Sequence, residues 1–152
     1  MKKIVYLCLM AMVLSAGEVQ IQADRFEANQ QRFFTQFIGH VILTKGKNVI
    51  KADRVYIYFN KDKKPIKIDA VGHVTFKIYD KKGKYYEGKA GKIVYFPKKK
   101  EYLLSKNVQV IQYPDQKKIY AQLVIIDLAA SKIEVKGNEN KPVKMILKIE
   151  EK

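Results

Sequence analysis

The chain has 152 residues, with 30 Lys and Arg against 15 Asp and Glu for a formal charge of +15, and 47% of its residues are hydrophobic. That length suits one ordinary domain, and a single cysteine, Cys8, rules out an internal disulfide framework, so the core and the ladder hydrogen bonds must hold the fold. The basic excess leaves nucleic acid, an anionic lipid surface or phosphorylated glycolipids as plausible partners, although scattered lysines also keep a strand-rich chain soluble and blunt its edges.

Lys2 and Lys3 precede the apolar run Ile4 to Leu14, which gives way to Ser15, Ala16 and Gly17. This pattern predicts a secretory signal peptide over 1–17, cleaved after Ala16 or Gly17, because the run falls well short of the roughly 20 apolar residues that span a bilayer. Cys8 leaves with it, and loss of Lys2 and Lys3 lowers the formal charge from +15 to +13. Export disfavours nucleic acid and favours the phosphorylated lipid of a Gram-negative periplasm. Residues 18–152 are then one domain.

In chain order the remainder reads as four copies of a strand pair. The first copy runs from Val19-Gln20-Ile21-Gln22-Ala23-Asp24 to Gly39-His40-Val41-Ile42-Leu43, and the second from Ile50 through Ala52-Asp53-Arg54-Val55 to Gly72-His73-Val74. The third has Gly88-Lys89-Ala90-Gly91 and then Lys106-Asn107-Val108. The fourth has Tyr120-Ala121-Gln122 and closes at Ile133 to Gly137. Marker alanines stand at 23, 52, 90 and 121, a period of about thirty residues with insertions in the turns. Segments such as Lys45 to Asn48, Asp80 to Lys84, Pro97 to Lys100 and Pro114 to Lys117 supply the Gly, Pro, Asn and Asp of tight reversals. The one stretch with a helical flavour, Asp24 to Phe34, is better read as strand, turn and strand. An all-β protein is predicted.

Most strands alternate, so one parity should form an apolar lining: Val19 and Ile21, Val41 and Leu43, Val55 and Ile57, Val74 and Phe76. The series continues with Ile93 and Tyr95, Val108 and Val110, and Val124 and Ile126. Periodicity alone does not distinguish a filled core from an open apolar groove.

Chemistry of a catalytic kind has little to stand on. His40 and His73 follow glycines at equivalent places, but no His-x-x-x-His pair occurs, and Asp24, Asp53 and Asp127 read as repeat markers or surface charges. Neither Ser105 nor Ser131 sits in a nucleophile elbow, and there is no Gly-rich phosphate loop. The sequence predicts no enzyme, no cofactor and no metal.

The runs Gly39 to Gly46, Ile50 to Val55 and Glu87 to Ala90, taken in order, closely resemble the OstA-like family, and the likeness extends from Val19 to about Leu147. The resemblance implies a β-jellyroll of two antiparallel sheets built from the repeated strand pairs, with an incompletely filled groove that shelters the acyl chains of lipid A. It implies lipopolysaccharide as cargo, inner- and outer-membrane OstA-like components as partners, and head-to-tail association through edge strands, here Val19 to Ala23 and Val143 to Ile149. Acyl-chain contacts would fall on Val19, Ile21, Phe76 and Tyr95, and the remaining lining positions extend that list by parity. Lysine-rich turns and the aromatic stretches Tyr56 to Phe59 and Tyr85-Tyr86 depart from some relatives. Two other readings stand beside this one: a membrane-anchored member of the same pathway that keeps its N-terminal segment, and a basic structural or nucleic-acid-binding β domain.

Overall fold

The computed structural model describes residues 18–29 and 31–149; the expected signal segment, 1–17, lies outside them. Ten strands follow one another: β1 (Gln20–Gln22), β2 (Arg25–Asn29), β3 (Phe34–Lys45), β4 (Asn48–Phe59) and β5 (Pro65–Tyr79), then β6 (Tyr85–Phe96), β7 (Glu101–Tyr113), β8 (Lys117–Asp127), β9 (Lys132–Lys136) and β10 (Lys144–Ile146). No helix occurs among the described residues, and those of 24–34 form strand, turn and strand. Neighbouring strands pair antiparallel in the order β1-β3-β4-β5-β6-β7-β8-β10, with β2 also on β3 and β9 also on β8.

Each long strand is broken at its middle. Register breaks fall between Ile38 and Val41, Lys51 and Arg54, Val71 and Val74, Lys89 and Lys92, and Ser105 and Val108, in one line across the sheet. Bulges of this kind bend a strand and raise its twist. The line divides the sheet in two. One half, called A, holds β1, β10 and the 41–45, 48–52, 74–79, 85–90, 108–113 and 117–121 portions of the long strands. The other, B, holds β2, β9 and the 34–38, 54–59, 65–71, 92–96, 101–105 and 123–127 portions. The two sheets of the jellyroll are therefore halves of one hydrogen-bonded sheet folded along its own bend.

Contacts between distant strands show the fold-over. Asn48 Nδ2, on the A part of β4, donates to the Tyr102 hydroxyl on the B part of β7 at 3.4 Å. Ser131 Oγ, in the turn between β8 and β9, donates to Asp80 Oδ2 in the β5–β6 turn at 2.7 Å.

The bend chemistry is written in the repeat markers. Gly39 and His40, Gly72 and His73, and Lys106 and Asn107 are three consecutive pairs with positive φ, at the bends of β3, β5 and β7. Glycine takes this region freely, and Asn and His are the other residues enriched there. Ala52, Ala90 and Ala121 occupy the inner corner immediately before the bends of β4, β6 and β8, where they are buried. A larger side chain at such a buried corner would overpack it.

Candidate functional site: the apolar lining between the halves

The facing sides of A and B form one continuous apolar cluster. From the predicted lining, Val41, Leu43, Val55, Ile57, Val74 and Phe76 are buried in it, as are Ile93, Tyr95, Val108, Val110, Val124 and Ile126. Val19 and Ile21 are partly buried and pack against it from the β1 edge. The alternation thus located the inner face on every strand it was applied to.

It also missed half of that face. Ile50, Ile68, Ile78, Tyr86, Tyr102, Leu104 and Ile119 are equally buried. For Ile50, Tyr86 and Ile119 the reason is phase, whereas Ile68, Ile78, Tyr102 and Leu104 share the predicted parity of their strands and simply continue it past the pairs that were named. Across β4, β6 and β8 only two residues separate inner positions (Ala52 and Val55, Ala90 and Ile93, Ala121 and Val124), so the inward parity flips at the bend. Across β5 and β7 three residues intervene, from Ala70 to Val74 and from Leu104 to Val108, and parity is kept. A single parity per strand is correct for a flat strand and fails for one that turns a corner.

In the middle of the molecule the lining is closed to solvent. Val55, Val74, Ile78, Leu104 and Val124 are 0% exposed, and the Tyr95 and Tyr102 rings stack at 4.5 Å in the space between the halves. Large buried side chains come from both halves, Ile78 and Tyr86 from A and Tyr95, Tyr102 and Leu104 from B. Burial pushes the phenols of Tyr86, Tyr95 and Tyr102 upward, with nearby Asp80 adding to Tyr86 and Tyr95 adding to Tyr102, which marks the interior as a poor host for charge.

Packing loosens toward the edges. Phe37 and Phe59 on the β2 side, and Ile133 and Val135 on β9, are only partly buried, and Phe26 stacks on Phe37 at 5.7 Å while remaining 44% exposed. Ala28, Asn29, Phe33, Phe34, Thr35, Phe59 and Lys63 line an open depression of ≈ 210 Å³. At the other end Val143, Met145, Ile146, Leu147 and Ile149 lie exposed on and around β10.

The two histidines are at the outer corner, not in the lining. His40 Nδ1 lies 2.8 Å from Asp24 Oδ2, and His73 Nδ1 lies 2.8 Å from Asp53 Oδ2. Asp24 and Asp53 are repeat markers, as read, but the pairing of each with its own copy's histidine was missed; the signal was the fixed Ala-Asp to Gly-His sequence. The hydrogen bond and then the carboxylate charge hold both imidazoles above their ordinary value, and Asp53 also acts on His40. Among the described residues, no group of three or more His, Cys, Asp or Glu is gathered where it could hold a metal.

Residues 20–132, from β1 to the first residue of β9, match the family described as LptA/(LptD N-terminal domain) LPS transport protein. The chain belongs to this family. Over 157 aligned residues it is 26% identical to the lipopolysaccharide export system protein LptA of Haemophilus influenzae, covering 95% of this chain and 90% of that protein. Its fold is similar to the crystal structure of LptH, described as the LptA-homologous periplasmic component of the lipopolysaccharide transport device of Pseudomonas aeruginosa. The TM-score is 0.75 at 15% identity, over 89% of this chain and all of the other. The family is one of lipopolysaccharide transport proteins and not of enzymes.

Proposed function

We propose that the chain is a periplasmic carrier that shelters the acyl chains of lipopolysaccharide between the A and B halves and hands them along a bridge of like units. The observation that carries this reading is the continuous apolar lining from β1 to β9 inside a sheet that is bent along one line. Opposite the bend, Asn48 donates to Tyr102 and Ser131 to Asp80 across the seam. Parting the halves exposes apolar surface, and a hydrocarbon chain restores that burial at about 0.8 kcal/mol per methylene. Entry begins at the loosened β1–β2 end, beside Val19, Ile21, Phe37 and Phe59, and proceeds along Phe76, Tyr95 and the neighbouring lining positions. No catalytic step is required of this chain.

Supply and delivery follow from the same geometry. Residues 1–17 serve as a cleaved export signal, and N-terminal sequencing of protein from the periplasmic fraction tests this: an intact Met1 in the membrane fraction would assign the chain to the anchored alternative. Edge strands β1 and β2 at one end and β9 and β10 at the other suit head-to-tail strand addition between copies and to OstA-like domains in either membrane.

The direct test places a photo-crosslinking residue at Phe76, a second at Tyr95 and a third at Ser105 on the outer side of the B half. Lipopolysaccharide should be captured at the first two and not at Ser105. Equal capture at all three would sink the lining as the carrier site.

A further inference from the structure

The two outer faces of the folded sheet carry different charge. On the A half, register and burial place Lys51, Lys77, Lys89, Lys118 and Lys144 outward, and Glu87 is the carboxylate that shares the strands' outer side with them among the described residues. On the B half the outward bases are interleaved with Glu27, Asp69, Glu101, Asp127 and Glu134. Both lysine–carboxylate ion pairs among the described residues, Lys67 with Asp69 at 3.9 Å and Lys136 with Glu134 at 3.6 Å, belong to the B face. A need for solubility alone would treat the two faces alike.

The A face has a second character. Tyr79, Tyr85 and Tyr113 stack across three adjacent strands, with ring centroids 5.0 Å and 4.6 Å apart, and Lys77 Nζ lies 5.0 Å from the Tyr85 centroid. Lys144 Nζ lies 5.9 Å from the Tyr120 centroid, Ile111 is half-buried beside them, and Ile146 is 44% exposed on the same side. The depression among Thr75, Lys89, Gln109, Lys118 and Tyr120 is shallow and open. Cations spread over a broad sheet face, with amphipathic rings and an exposed aliphatic between them, suit a plane of phosphate headgroups better than a polymer groove or a single small anion.

The geometry points to the outer face of the A half as a docking surface for an anionic phospholipid bilayer. It is separate from the lining and faces away from it, so the protein can rest on a membrane while the space between its halves stays available. Attraction of this kind falls off within a Debye length and weakens with salt.

The test uses the chain from Glu18 onward, which carries all ten strands, and vesicles free of lipopolysaccharide. Co-sedimentation should occur with mixed phosphatidylcholine and phosphatidylglycerol vesicles, weaken as salt is raised, and be absent with phosphatidylcholine alone. The triple variant Lys89→Gln, Lys118→Gln, Lys144→Gln should lower vesicle affinity about a hundredfold with an unchanged melting temperature, since each lysine near an anionic surface adds about one factor of five. The B-face triple Lys67→Gln, Lys92→Gln, Lys132→Gln should leave it nearly intact. Equal losses from the two triples, equal binding to neutral vesicles, or duplex DNA binding with the same variant dependence and no vesicle binding would each overturn the proposal.

Discussion

Asn48 joins both halves of the sheet through one side chain: its Oδ1 accepts the Tyr79 amide at 2.8 Å, and its Nδ2 donates to the Tyr102 hydroxyl at 3.4 Å. Tyr102 is only 1% exposed, so its hydroxyl depends on that single donor. Asn48→Ala leaves a buried hydroxyl and a backbone amide unpaired and should cost about 1–3 kcal/mol, whereas Tyr102→Phe, which removes the needy group itself, should cost less. Urea unfolding of the two variants gives the comparison. Equal losses would mean that the seam is held by packing alone.

The bend markers predict a swap. A Cβ on Gly72 would lie 2.6 Å from Asp53 Oδ2 at φ +88°, and in the third copy the roles reverse, because a Cβ on Gly91 would lie 2.7 Å from the Lys106 Cβ. Each bend has room for one side chain of the two. Gly72→Lys should therefore destabilise by about 1–3 kcal/mol, and adding Asp53→Gly should recover most of the loss, since Lys106 itself stands at φ 69°. Thermal unfolding of the single and double variants decides it; an additive double variant would refute the shared space.

The Asp24–His40 and Asp53–His73 pairs make stability depend on pH with a definite sign. Both imidazoles titrate above 6.5 in the fold, so the folded state keeps protons that the unfolded chain has released. Their contribution is complete below pH 6.5 and disappears as pH rises through the raised folded values. Both rings are exposed and solvent-screened, so the effect is small. Melting temperature should fall gently across that window, and the Asp24→Asn, Asp53→Asn variant should show a flatter profile.

Asp69 works the other way. Burial raises its pKa, the charges of Lys67 and Lys92 oppose the rise without cancelling it, and Oδ1 has no hydrogen-bond donor. The ionised carboxylate is thus a cost to the fold above its raised pKa and no cost below the ordinary 3.8. Asp69→Asn should stabilise by up to about 1 kcal/mol near neutral pH, with the gain vanishing in acid. Chemical denaturation at the two pH values checks it, and a loss at neutral pH would show that the Lys67 pair outweighs burial.

Exposed apolar residues close to β10 should drive self-association. Met145 and Leu147 are 47% and 54% exposed, and β2 at the opposite end presents Phe26. Met145→Asp with Leu147→Asp should weaken association about tenfold in sedimentation velocity, while the monomer's melting temperature stays put. Unchanged association would place the contact elsewhere.

The sequence by itself determined the strands, their turns, the fourfold repetition and the family, because each is local: alternation has a period of two, and a reversal needs particular residues within a few positions. It also supplied the markers Ala52, Gly72 and His73 without saying what they marked. Only the tertiary structure decided that these are bends, because whether two or three residues separate successive inward positions depends on how each neighbouring strand pairs there. That count sets the phase, and the phase is why Val55 and Ile93 were found while Ile50 and Tyr86 were not. The solvent-closed interior between Phe76, Tyr95 and Tyr102, and the gathering of lysines on one outer face, were likewise beyond a linear reading, since each depends on which half of the folded sheet a residue occupies.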